Sequence, residues 1–137
     1  MAVGAALLSA AGAGAIWLVL SRSGVALGRT VYTRQCASCH GTRLEGQPNW
    51  KERLPNGRLP APPHDATGHT WDHPDSQLFD LTKNGVSGVL PGYQSDMPAF
   101  KDVLTDREIW AVLAYIESTW PPEIRARQEK ITNGSDR

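Results

Sequence analysis

The chain has 137 residues and no net formal charge, with 40% hydrophobic and 20% charged residues. This is the composition of an ordinary globular protein, and the roughly 110 residues that follow an apolar N-terminal stretch are enough for one small domain. No basic stripe runs along a predicted helix, so the sequence does not suggest binding to nucleic acid.

The N-terminal residues 2–20 carry no ionisable side chain. As a helix they would span about 28 Å, close to the roughly 30 Å of a bilayer core. The segment is predicted to enter or cross a membrane, either as a retained anchor or as a secretory signal cleaved after Gly24-Val25-Ala26. The run is longer than the apolar region of a usual signal peptide, which favours one transmembrane anchor.

The two cysteines of the chain lie in the motif Cys36-Ala37-Ser38-Cys39-His40. On one helical turn, two thiols separated by two residues can reach two carbons of one haem, and the next residue, His40, can reach the iron. A thioredoxin-like dithiol would need a preceding strand, and a zinc site would need a second pair of ligands. The motif therefore predicts one covalent haem, attached through Cys36 and Cys39, with His40 as an axial ligand.

The residues before the motif add a helical pattern. Gly28, Tyr32 and Cys36 recur every four residues, so they share one face of a helix. The run G-x-x-x-[FY]-x-x-x-C-x-x-C-H resembles the N-terminal helix of the class I cytochrome c family. That resemblance implies a close crossing of the C-terminal helix at Gly28.

A second helix is predicted over residues 106–120. Its start is marked by the capping box Thr105-Asp106-Arg107-Glu108, and it cannot continue through Pro121-Pro122. Its apolar residues form one stripe: Ile109, Val112, Leu113, Ile116 and Trp120. Residues 112–117 resemble the terminal helix of the same family.

The second axial ligand decides whether the iron has an open position. Apart from the initiator, the chain has one methionine, Met97. The run Met97-Pro98-Ala99-Phe100 resembles the distal ligand loop of class I cytochromes, which implies that Met97 ligates the iron. The alternatives are bis-histidine ligation or a second metal at His64, His69 or His73, but their spacing does not fix a metal site as C-x-x-C does.

Three further residues are candidates for contacts to the haem. In the class I family a proline carbonyl accepts the second N–H of the proximal histidine, and Pro62 is the nearest match, with Pro60 and Pro63 as alternatives. Trp50 and Trp71 are expected to cover the haem edge or to donate to a propionate, or else to be core residues.

The resemblance covers residues 28–120 and implies an all-α class I cytochrome c fold, in which N- and C-terminal helices cross around one haem. Helices are predicted at about residues 29–39, 74–83 and 106–120, with a short element near 100–103. The expected organisation is a membrane anchor or uncleaved signal at 1–21, a linker at 22–27, the haem domain at 28–120 and a polar tail at 121–137. The tail is expected to form one helical turn or to stay mobile.

A haem with both axial positions filled favours transfer of single electrons, so the expected protein is a carrier and not an enzyme. Its partners would be redox proteins or subunits of a membrane complex, and it would have no small-molecule substrate. The protein itself would be either a tethered shuttle or a fixed subunit of such a complex. The resemblance places the haem domain on the periplasmic side of a bacterial inner membrane. The alternative is a peroxidase or gas sensor in which Met97 dissociates readily.

Overall fold

The computed structural model describes residues 23–135. All regular structure in this range is helical, with no strand among these residues, and the predicted all-α class is confirmed for them. The longer helices are α1 (residues 23–35, helical from the first described residue), α3 (Asp75–Asn84), α5 (Asp106–Ser118) and α6 (Pro122–Ser135). The short elements are α2 (Ala37–His40), a 3-10 turn (Thr70–Asp72) and α4 (Val86–Val89).

Helices α1 and α5 cross in close contact at Gly28. A Cβ atom at this position would lie 1.8 Å from the carbonyl oxygen of Ala111 and 2.8 Å from the Cβ atom of Tyr115. One turn later, Tyr32 is buried and packs against Tyr115, with 5.5 Å between the ring centroids. The two helices therefore meet at a glycine, as the resemblance implied.

The crossing is the centre of one hydrophobic core. All five residues of the predicted stripe on α5 are buried in it. They pack with residues from α1, α3 and the segment before α5, chiefly Val31, Tyr32, Leu78, Phe100 and Leu104. Cys36, Trp71 and Met97 pack against this core while partly exposed, so it adjoins the predicted haem-binding residues.

Helix α5 begins at Asp106, as the capping box predicted, and ends two residues before the predicted end at Trp120. The Thr105 side chain accepts a hydrogen bond from the N–H of Glu108, whose carboxylate accepts the N–H of Thr105 at 2.9 Å. The helix ends at Ser118, and Trp120 lies beyond it, although its side chain remains buried. The middle helix, α3, lies within one residue of its predicted bounds, whereas the short element predicted near residues 100–103 is a hydrogen-bonded turn.

The C-terminal prediction was wrong in one respect. The segment expected to form one helical turn or to stay mobile is the 14-residue helix α6, which packs on the 3-10 turn. Arg127 pairs with Asp72 at 2.8 Å, and the buried amide of Gln128 hydrogen-bonds to Asp75 at the start of α3. The N–H of Asp75 donates to the hydroxyl of Thr132 at 3.1 Å, so α6 supplies the cap that α3 lacks from its own sequence.

The N-terminal prediction differs from the structure at the linker. Residues 23–27 are helical and continuous with the rest of α1, so the described part of the predicted linker belongs to this helix. The helix predicted at residues 29–39 starts earlier and is interrupted at Cys36, after which α2 follows. The predicted membrane span at residues 2–20 lies outside the described residues. None of the helices in residues 23–135 has the length and apolar character needed to cross a bilayer.

Candidate haem-binding site

The residues of the C-x-x-C-H motif form one compact helical turn directly after α1, made of the N-cap Cys36 and the four residues of α2. The carbonyl oxygen of Cys36 accepts hydrogen bonds from the N–H groups of Cys39, at 3.1 Å, and of His40, at 2.9 Å. Neither cysteine is in a disulfide; Cys36 is half-buried against the core and Cys39 is exposed. The backbone therefore holds the side chains of Cys36, Cys39 and His40 within one helical turn.

The electrostatics of this turn argue against a dithiol redox site. Burial raises the pKa of the Cys36 thiol to about 11, and repulsion from Cys39 adds to the shift. Dithiol oxidoreductases depend on a cysteine whose pKa is lowered, so that the reactive thiolate forms near neutral pH. The environment of Cys36 has the opposite effect.

His40 is held in the tautomer that an iron ligand needs. Its ring is buried, and Nδ1 lies 2.9 Å from the carbonyl oxygen of Pro62. Because a carbonyl can only accept, Nδ1 carries the proton and Nε2 keeps a free lone pair. Burial lowers the pKa of His40, and the hydrogen bond to Pro62 opposes this only in part, so the imidazole is favoured in its neutral form. Of the three prolines considered in the sequence, Pro62 makes this contact.

None of the three other histidines of the chain has the position expected of a second iron ligand on the side opposite His40. His64 is stacked on the His40 ring with 4.0 Å between centroids, a face-to-face arrangement, whereas two axial ligands of one iron approach it end-on from opposite sides. His69 stacks on Trp50 at 5.3 Å, and His73 lies with Nδ1 3.2 Å from the Gln77 side-chain oxygen. Within residues 23–135, no cluster of three or more His, Cys, Asp or Glu side chains is placed to bind a metal ion.

Met97 lies in a loop that is fastened on both sides. Before it, Asp96 pairs with Arg58, and the Met97 N–H donates to the Ser95 hydroxyl at 3.1 Å. After it, the N–H of Phe100 donates to the carbonyl of Thr82 in the last turn of α3, at 3.2 Å. The thioether is thus held against the hydrophobic core by contacts at both ends of its loop.

The two tryptophans have different surroundings. The indole nitrogen of Trp71 is buried without a hydrogen-bond partner, and it is the one such side-chain nitrogen or oxygen in the described part of the chain. The Arg127 guanidinium lies 4.6 Å from the Trp71 ring, a contact from α6 that the sequence did not predict. Trp50 is half-buried between His69 and the ammonium group of Lys51, which lies 4.9 Å from its ring.

These residues fit a covalently attached haem. They supply two cysteines that are not in a disulfide, of which Cys36 packs against the core, together with a histidine whose Nε2 is unprotonated. They also supply a thioether in an anchored loop and a buried indole N–H without a partner. An orphaned buried donor costs about 1–3 kcal/mol, so its presence indicates that an acceptor is part of the complete protein. A haem propionate is an acceptor of this kind.

Comparisons with known proteins agree with this chemistry. The family model described as cytochrome c oxidase, cbb3-type, subunit III matches residues 24–116. Cytochrome c-555 from Prosthecochloris aestuarii is 29% identical over 82 residues, which cover 56% of this chain and 83% of that protein. No solved structure gives a significant match. Because the family model covers more than half of the chain, the protein belongs to this cytochrome c family and is a mono-haem c-type cytochrome with covalently bound haem c.

Proposed function

We propose that the protein carries single electrons through one haem attached at Cys36 and Cys39, with His40 and Met97 as the two axial ligands. The observation that carries this proposal is the hydrogen bond from His40 Nδ1 to Pro62, because it leaves Nε2 as the free donor atom. Bound haem supplies an iron that changes by one electron between its ferrous and ferric states.

The chain's contribution on the opposite side is the anchored loop of Met97. Arg58 and the last turn of α3 fasten this loop at its two ends, which favours a thioether that stays in place in both redox states. A ligand set that does not rearrange suits electron transfer better than ligand binding. The anchoring therefore supports the carrier over a peroxidase or gas sensor.

The polar edge of the haem is proposed to lie at Trp71. Its unpartnered indole N–H is suited to donate to a propionate, and Arg127 above the ring adds a positive charge nearby. Trp50, stacked between His69 and Lys51, is proposed to cover the haem edge. The Trp50 indole is not among the buried unpartnered groups of residues 23–135, so the propionate contact is proposed for Trp71.

The proposed setting is a membrane redox assembly in which this protein is a fixed electron-transfer subunit. The matching family is described as an oxidase subunit, and a fixed subunit needs no small-molecule substrate of its own. The haem domain would lie in the periplasm or at the membrane. Solubilisation in mild detergent tests the fixed role: a subunit should stay bound to other redox proteins, whereas a shuttle should purify alone.

The ligand assignment is tested by Met97→His and Met97→Ala. Thioether ligation favours ferrous iron, so Met97→His should lower the reduction potential while the haem stays low-spin. Met97→Ala should bind carbon monoxide and gain peroxidase activity. Val103→Ala, which shortens an exposed side chain after the same loop, is the matched control and should resemble the wild type.

The oxidised wild type should show the weak red band of sulfur-to-iron charge transfer and should bind carbon monoxide slowly. If it lacks the band and binds carbon monoxide as fast as Met97→Ala, the sixth position is open or held by another group. The peroxidase or gas-sensing function would then replace electron transfer.

A further inference from the structure

The face of the His40 ring is covered by a second imidazole. The rings of His40 and His64 are 26° from parallel, with centroids 4.0 Å apart; His40 is buried and His64 is half-buried. The hydrogen bond to Pro62 fixes one edge of the His40 ring, but torsions at the Cβ–Cγ bond of histidine are broad. A flat ring packed on the face restricts this rotation further than the single hydrogen bond to Pro62 does alone.

His64 is itself held firmly enough to act as such a surface. Its Nδ1 shares a hydrogen bond with the Thr70 hydroxyl at 2.8 Å. Its carbonyl oxygen accepts the indole N–H of Trp120 at 2.8 Å, and its N–H donates to the carbonyl of Leu44 at the same distance. Side chain and backbone are therefore tied to three separate parts of the chain.

We propose that His64 is a positioning residue, which sets the rotation of the His40 imidazole about its Cβ–Cγ bond and so its orientation over the haem. The inference rests on the proposed function, in which His40 Nε2 binds the iron. An aliphatic side chain could fill the same volume, but it would lack the flat face. A phenylalanine ring would have the flat face but would lack the nitrogen atom that shares a hydrogen bond with Thr70. Residues beyond the ligands commonly fix the ring orientation of a metal-bound histidine.

The orientation of an axial imidazole affects the splitting of the iron d orbitals in ferric haem. It can be followed by the g values of the low-spin electron paramagnetic resonance spectrum and by the spread of the haem-methyl proton shifts. These signals report on the ligand and not on the stability of the domain. A residue that only fills the core would change the unfolding temperature and leave them in place.

The experiment compares four variants of the full-length holoprotein. His64→Ala removes the ring, His64→Phe keeps a flat ring without nitrogen atoms, and Thr70→Val removes the hydrogen bond from a nearly unchanged shape. His73→Gln is the control, since it changes another histidine of the same segment that does not contact His40.

We expect His64→Ala to shift and broaden the largest g value and to change the haem-methyl spread. His64→Phe and Thr70→Val should show smaller shifts in the same signals, and His73→Gln none. A wild-type spectrum in His64→Ala would overturn the inference, as would a shift in His64→Phe as large as that in His64→Ala. If His64→Ala does not retain haem, an unchanged spectrum in Thr70→Val overturns it.

Failure of this inference is distinguishable from failure of the proposed function. The proposed function fails in the wild type itself, through a missing charge-transfer band and fast binding of carbon monoxide. The positioning role of His64 fails only in the comparison between variants, while the wild-type spectra remain those of a haem with two axial ligands.

Discussion

Gly28 and Ala111 approach so closely that no side chain fits between them: a Cβ atom at Gly28 would lie 1.8 Å from the Ala111 carbonyl oxygen. Relief of that overlap would require the backbones of α1 and α5 to separate at the centre of the core. We expect Gly28→Ala to lower the free energy of unfolding by about 1–3 kcal/mol, in the range of overpacked cores.

Gly24→Ala is the matched control on the same helix, because a Cβ atom there meets nothing within 4 Å. It should be neutral or should stabilise by about 0.5–1 kcal/mol, since alanine favours helix over glycine. Denaturant unfolding of both holoproteins measures the difference. Equal stability of the two variants would contradict the close crossing.

Gln128 is expected to anchor α6, because its buried amide contacts both Asp75 and Thr132. Gln128→Ala removes this donor and leaves the Asp75 carboxylate with fewer partners, at an expected cost of about 1–3 kcal/mol. Lys130→Ala, on the exposed side of α6, is the control and should change the free energy of unfolding by less than about 0.5 kcal/mol. A Gln128→Ala protein as stable as this control would show that α6 packs without these bonds.

Helix α5 was predictable from residues close together in the sequence, whereas α6 is stabilised by contacts with residues far away in the sequence. The start of α5 was predictable because Thr105 and Glu108 are three residues apart and satisfy each other. Helix α6 has a polar sequence, and its buried residue is Gln128, so it has no apolar stripe to reveal it. Pro122 occupies the first position of α6, where proline is favoured, so it marks the start of this helix as well as the end of α5.

The candidate haem-binding residues were predictable to the extent that they follow a local motif. Cys36, Cys39 and His40 lie within five successive residues, and the structure places them on one turn. The stacking of His64 on His40 joins residues far apart in the chain, and no spacing rule indicates it. Pro62 was singled out by family resemblance, because the carbonyl it offers is a backbone group that any residue carries.

Glu117 should make the stability of the protein depend on pH. Burial, with repulsion from Asp75 and Glu129, raises the pKa of this carboxyl from 4.5 to about 7. Between these values the folded chain binds more protons than the unfolded chain, so the free energy of unfolding falls as the pH rises through this range. The destabilisation is complete above the folded pKa and absent below the unfolded one.

Glu117→Gln should therefore stabilise the protein at pH 8, by on the order of 2 kcal/mol, and have little effect at pH 4. Unfolding curves measured at several pH values between 4 and 8 would give the dependence of the free energy of unfolding on pH in the wild type. This dependence should be lost in the variant. Glu123→Gln, an exposed carboxylate at the start of α6, is the control. If both variants keep the wild-type slope, the ionisation of Glu117 does not control it.

The change in the free energy of unfolding caused by Trp71→Phe shows by its sign whether the Trp71 indole N–H has an acceptor in the holoprotein. If the N–H donates to a haem propionate, Trp71→Phe removes a hydrogen bond and should lower the free energy of unfolding of the holoprotein by about 1 kcal/mol. If the N–H has no acceptor, the same change removes a buried unsatisfied donor and should raise it. Phenylalanine keeps a ring beneath Arg127, so the cation–π contact is largely retained.

The reduction potential gives an independent measurement of the same contact. A propionate that loses its donor carries more effective negative charge, which stabilises ferric haem, so the potential of Trp71→Phe should fall. Trp110→Phe is the control, because this tryptophan is 46% exposed and stacks on Phe79. We expect the control to leave the potential unchanged. A Trp71→Phe protein that is more stable than the wild type, with the wild-type potential, would place the propionates elsewhere.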